Sequence, residues 1–265
     1  MSSNEKTVRE FYTSINEDNR ASISRANGLE FHFTKKLLEK YISNQSKIIE
    51  IGCGTGFYGM FLSDKCKEYV GIDLSHENIE VFKGKIERDR INNLSAMVGD
   101  ATNLSQIKND EFDIVLIFGP MYHLPPNERN MVFEEAKRVC KKNGIIMFAY
   151  INKLGAYLQE GILSFPDHYP NKNSNEYILI KETDDVKPGL FYFTTAGEMN
   201  EKAKLHNLDI IKNVGVNFFF NRDLINNMDD EKFESYLGFL EHVCNDESCT
   251  GLSNHSIIIC RKIKL

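Results

Sequence analysis

Apolar residues recur at helical spacing over 29–42, where Phe33, Leu37, Leu38 and Tyr41 share one face. They then condense into the short run Lys47–Ile51, which ends at Gly52. This change of period, from 3.6 to a compact strand, repeats along the chain. A helix to about residue 65 leads to a strand over 68–72. A second helix begins after Ser75, a good N-cap, with Ile79, Phe82 and Ile86 at helical spacing. Strands follow over 95–98 and 112–118, the second almost wholly apolar, as a strand covered on both faces must be. A helix over 127–140 buries Val132, Phe133, Ala136 and Val139, and a fifth strand covers 144–150. Strands alternating with helices in this way imply parallel pairing through right-handed crossovers.

The rhythm breaks over 151–190, where Gly155, Gly161, Pro166, Pro170 and Pro188 stand among aromatics, and an inserted lid is the expectation. Thr195 and Glu198 have the spacing of a capping box, which predicts a helix to about His206. A strand over 208–216, one helix over 223–243 and a last strand over 255–261 complete a doubly wound α/β reading with seven strands. No Pro, Gly or Ser-rich stretch divides the 265 residues, so 1–265 reads as a single domain. Its expected decorations are an N-terminal cap segment over 1–28 and the lid.

Composition narrows the partners. Hydrophobic residues at 42% and charged residues at 26% are ordinary for a globular chain, and no apolar run reaches membrane-spanning length. The polar, charged start carries no secretion signal, so a cytoplasmic location is the expectation. The formal net charge of −6 disfavours nucleic acid and favours a small-molecule substrate, with no membrane partner. The 6 cysteines show neither a C-x-x-C pair nor zinc spacing, so neither a disulfide framework nor a metal site is expected.

The most informative stretch is IIEIGCGTG at 48–56. Glu50 stands two residues before the first of three glycines, Gly52, Gly54 and Gly56. Glycine lets the backbone turn sharply off a strand and approach a ligand with no Cβ in the way. The dinucleotide fingerprint needs a further glycine at 57, where this chain has Phe57. Asp73 ends the second strand 21 residues beyond Gly52, near the offset at which a carboxylate meets ribose hydroxyls in related nucleotide-binding folds. Asp100 follows the third strand in GDATN, and FGPMYHL at 118–124 closes the fourth at the carboxyl edge, where open α/β sheets bind ligands.

These motifs resemble the class I S-adenosylmethionine (SAM) dependent methyltransferases, in particular bacterial members with small-molecule substrates. The resemblance implies a sheet in the order 3-2-1-4-5-7-6 with the last strand antiparallel, and SAM as cofactor with S-adenosylhomocysteine as product. It places Glu50, Gly52, Cys53, Gly54 and Gly56 on the cofactor, Asp73 and Leu74 at the ribose, Asp100 and Ala101 at the adenine, and Phe118 and Gly119 beside the donor methyl. Tyr122 and His123 then face the acceptor as candidate catalytic groups, since a histidine takes up a proton near neutral pH and a tyrosine ring packs against a cation. The segment EDNRASISRANGLEF at 17–31 is similar to a cap helix bearing arginines. Arg25 or Arg20 is therefore a candidate for a carboxylate, with Tyr12 at the same mouth and Arg20 on the substrate side. GLSNHSIIICRK at 251–262 resembles the last strand of the same proteins and brings His255 toward the substrate. Two alternatives stay open: an NAD-dependent oxidoreductase, and a SAM-binding regulatory protein without catalysis.

Overall fold

The computed structural model describes residues 22–179 and 191–263. In chain order its first half comprises α1 (Arg25–Glu39), β1 (Lys47–Ile51), α2 (Phe57–Leu62), β2 (Glu68–Asp73), α3 (His76–Arg88), β3 (Leu94–Val98), β4 (Phe112–Ile117), α4 (Pro126–Val139) and β5 (Cys140–Ile151). There follow α5 (Lys153–Ala156), α6 (Lys172–Leu179), α7 (Ala196–Leu205), β6 (Leu208–Gly215), α8 (Arg222–Asn226), α9 (Asp230–Asn245) and β7 (His255–Lys262).

The seven strands form one sheet in the order β3-β2-β1-β4-β5-β7-β6. The pairs from β3 to β5 are parallel, whereas β7 runs antiparallel to both β5 and β6. Successive residues of a strand point to opposite faces, so one apolar strand feeds two cores. On β7, Ile257 and Ile259 join the core that contains Phe82 and Leu240, while Ile258 and Cys260 join the one that contains Phe133 and Val139. The class I methyltransferase architecture expected from the motifs is the one observed. Among the described residues, no helix is long and apolar enough to cross a membrane.

Three details differ from the sequence reading. The helix expected over 223–243 is two helices, because the Asp229 side chain accepts from the Lys232 backbone N–H and restarts the helix as its N-cap. β5 begins at Cys140, directly where α4 ends, rather than at Gly144. The start of the 151–190 segment is built into the core. Gln159 is wholly buried, donates to the Leu252 carbonyl at 2.7 Å and accepts from the Phe219 amide at 2.8 Å. Both ends of this buried amide are thereby satisfied, as burial requires. The capping box of α7 is present in full, with Thr195 and Glu198 each accepting from the other's backbone N–H.

Candidate active site

The carboxyl ends of β1 to β4 open into a cavity of about 390 Å³, within the range of small-molecule sites. Its floor is set where the loop after β1 meets the loop after β4. A Cβ on Gly52 would lie 2.6 Å from both the Phe118 carbonyl oxygen and Pro120 Cδ, so only glycine permits this approach.

The other two loop glycines divide the labour. At Gly54 φ is +53°, and a Cβ there would meet nothing within 4 Å, so the space in front of it belongs to the cavity. At Gly56 a Cβ would lie 2.0 Å from the Phe82 ring. Gly56 does not line the cavity; it lets α2 start against α3. The sequence reading puts all three glycines on the cofactor, and of the three Gly52 and Gly54 line the cavity.

Asp73 lines the cavity at the end of β2. Its Oδ2 accepts from the Gly54 amide at 2.8 Å, and its Oδ1 accepts from the Ser75 amide at 2.9 Å and from Asn78 Nδ2 at 3.2 Å. Burial pushes its carboxyl up, and these three donors pull it back toward the ionised form. Two carboxylate oxygens offer about four lone-pair directions, which leaves room for a hydroxyl. Lys85, reaching from α3, donates to the Thr55 carbonyl at 2.9 Å and secures the far side of the loop.

Glu50 is 1% exposed, lines the cavity and accepts a hydrogen bond from the Tyr69 hydroxyl. Burial pushes its pKa up to about 8, the Tyr69 bond lowers it, and the nearby Asp73 charge raises it. Burial likewise raises the Cys53 thiol beside these acids, so Cys53 stands at the wall as a neutral thiol. Asp100 follows β3, its Oδ1 held at 2.8 Å by both the amide and the hydroxyl of Thr102. Leu74, Ala101, Phe118 and Gly119 also line the cavity. The ring of Phe118 meets Tyr58 edge-on at 5.4 Å.

Beyond Gly119, a short helical turn carries Tyr122 and His123, buried at 9% and 8% exposure. Their rings lie 4.8 Å apart, and His123 also faces Phe191 at 5.2 Å. His255, at the start of β7, meets Tyr122 edge-on at 6.1 Å. All three line the cavity.

Arg25 is turned elsewhere. Its guanidinium donates to the Met228 carbonyl and to Asp230, and stands 4.8 Å over the Phe233 ring. It ties α1 to α9 and is no carboxylate clamp in the cavity. Tyr12 and Arg20 lie outside the described residues.

The sequence reading missed Glu30, Phe31 and Thr34 of α1, which all line the cavity, along with Ser75, Asn78 and Glu128. A signal for the first group was available. Glu30 and Thr34, spaced i to i+4, share a side of the helix next to its buried apolar residues.

Residues 48–144 match the model of a family described as a methyltransferase domain. The chain is similar to the class I SAM-dependent methyltransferases over these residues and in its strand order. It is 29% identical to a ubiquinone biosynthesis O-methyltransferase of Pelagibacter ubique, over 65% of this chain and 65% of that one, so less than two thirds of that relative's length is spanned. It is 27% identical to malonyl-(acyl-carrier protein) O-methyltransferase 2 of Ilyobacter polytropus, over 79% of this chain and 80% of that one. The fold is shared with phosphoethanolamine N-methyltransferase 1 of Haemonchus contortus, solved with phosphoethanolamine and S-adenosylhomocysteine. The TM-score is 0.62 at 14% identity, covering 99% of this chain and 49% of that one. SAM is the cofactor of this family, and the open space before Gly54 beside the Asp73 carboxylate fits it.

Proposed function

We propose that this methyltransferase binds SAM along Gly52, Gly54, Asp73 and Asp100 and transfers its methyl group to a small-molecule acceptor seated against Tyr122 and His123. One observation carries the reading. The unfilled space before Gly54, the Asp73 carboxylate and the aromatic and histidine wall all open into one cavity. The small-molecule part is supported by the similarity to a ubiquinone biosynthesis O-methyltransferase.

Bound SAM supplies an activated methyl on a sulfonium. The chain's own work is then to hold donor and acceptor in line and to exclude water. Asp73 anchors the ribose while fixing the loop through Gly54. Asp100 and Ala101 receive the adenine. Phe118, Tyr58 and Tyr122 enclose the reacting region, and His123 orients the acceptor.

Thermal shift with SAM and with NAD separates methyl transfer from hydride transfer. SAM raises the melting temperature, and a rise with NAD alone overturns the proposal. Incubation with methyl-labelled SAM and a metabolite extract then yields a labelled product. A protein that binds SAM and labels nothing is a SAM-binding protein without catalysis.

A further inference from the structure

A second histidine in the cavity has a carboxylate behind it. His255 Nδ1 lies 3.7 Å from Glu30 Oε2, within ion-pair reach, and the two side chains are 17% and 16% exposed. Glu30 is held by α1, and His255 is held by the pairing of β7 with Ile151 of β5. Both line the cavity. Asn217 completes the group, with its Nδ2 at 3.4 Å from the same Nδ1.

The amide of Asn217 can be set in either sense against the His255 ring. Its Oδ1 is buried with no hydrogen-bond partner among the described residues. Half a turn about the Cβ–Cγ bond, a rearrangement that leaves the amide's shape unchanged, brings Oδ1 to Nδ1. In that orientation Oδ1 accepts from Nδ1–H, which also faces the Glu30 carboxylate, and the ring's lone pair is on Nε2. A carboxylate that sets the tautomer and stabilises the charged imidazole is what a general base requires.

We infer that His255, positioned by Glu30 and Asn217, is the proton acceptor of the site, and that the methyl acceptor is a compound whose nucleophilic atom carries a hydrogen, an O–H or N–H rather than a carboxylate. This rests on the methyl-transfer reading above. The acceptor's proton passes to His255 Nε2, and the freed lone pair of oxygen or nitrogen forms the bond to the methyl carbon. The carbon–sulfur bond breaks with its electron pair going to sulfur, which leaves S-adenosylhomocysteine. The imidazolium beside Glu30 returns its proton to solvent after product leaves. A carboxylate acceptor has no proton to give and meets the like charge of Glu30. Among the described residues, Tyr122 from the turn after β4 meets the His255 ring, and His123 lies beside Tyr122.

The test uses 13C-methyl SAM with a cell metabolite extract, followed by locating the label in the product. Label on a former O–H or N–H atom is expected. His255→Gln is expected to lower labelling by about 10² to 10⁴-fold, with SAM affinity by calorimetry within about twofold. Glu30→Gln is expected to lower it less and to move the acid limb of the pH–rate profile to lower pH, because removing an anion disfavours the imidazolium. Glu30→Asp restores part of the rate. Apart from turnover, NMR of the His255 ring in ligand-free protein is expected to titrate at lower pH in Glu30→Gln than in wild type. Label on a carboxylate oxygen overturns the inference, as does unchanged turnover in His255→Gln or an unmoved His255 titration in Glu30→Gln. Those failures leave the methyl-transfer reading standing, whereas failure of the wild type to bind SAM, or to label anything, overturns both.

Discussion

The carboxylate of Asp73 accepts a hydrogen bond from the Gly54 amide at 2.8 Å, tying the end of β2 to the middle of the glycine loop. The acid proposed to face the ribose thus also shapes the loop. Asp73→Ala is expected to weaken SAM by about 1.5 to 3 kcal/mol, the range for a hydrogen bond to a charged group, and to lower the melting temperature as well. Asp73→Asn keeps an acceptor for the loop and falls between the two. Calorimetry with SAM and thermal melting measure the two effects, and affinity within about twofold of wild type removes Asp73 from the cofactor.

Gly54 faces open space, so a side chain there competes with ligand rather than with protein. Gly54→Val is expected to abolish SAM binding. Its left-handed φ of +53° also costs an ordinary L residue about 1–2 kcal/mol. Gly54→Asn, which tolerates that region better, is the control. Both variants lose SAM by calorimetry, but Asn retains more of the melting temperature. SAM affinity surviving in folded Gly54→Val contradicts the placement of the cofactor.

Gly56 predicts the opposite pattern. A Cβ at 2.0 Å from Phe82 overpacks the α2–α3 contact, so Gly56→Ala is expected to destabilise the fold by about 1–3 kcal/mol in urea unfolding. Trimming the neighbour in Gly56→Ala with Phe82→Leu restores part of that loss. Equal stability of Gly56→Ala and wild type excludes this packing role.

Glu50 makes stability depend on pH. Its pKa is raised from 4.5 to about 8 in the folded protein, so folding takes up a proton between those values and stability falls as pH rises through that window. Glu50→Gln stays neutral throughout. Its melting temperature is expected to fall less between pH 5 and pH 8 than that of wild type. Parallel curves for the two proteins refute the shifted carboxyl.

His123, packed between Tyr122 and Phe191, is expected to orient the acceptor. His123→Ala should lower turnover by about 10²-fold, the cost of a small misplacement at a reacting centre, with SAM affinity unchanged. A histidine that only supports the turn after β4 loses stability, SAM affinity and turnover together. Measuring all three distinguishes the roles.

Much of this molecule was legible in local pattern. The apolar runs of β1, β4 and β7, the helical stripes between them and the loop from Glu50 to Gly56 predicted the sheet and the cofactor edge, because period and glycine spacing are properties of neighbouring residues. The Thr195 and Glu198 capping box was visible for the same reason. Contacts between distant segments carried no such mark. Arg25 looked like a ligand for a carboxylate until α9 supplied Asp230 and Phe233, and Gly56 looked like its neighbours until Phe82 was packed against it. Glu30 and His255 come from opposite ends of the chain and meet only because α1 lies over the sheet edge where β7 begins. Local preferences choose the elements, but which side chains face one another follows from how the helices bury their apolar faces on the sheet, and only the tertiary structure decides that.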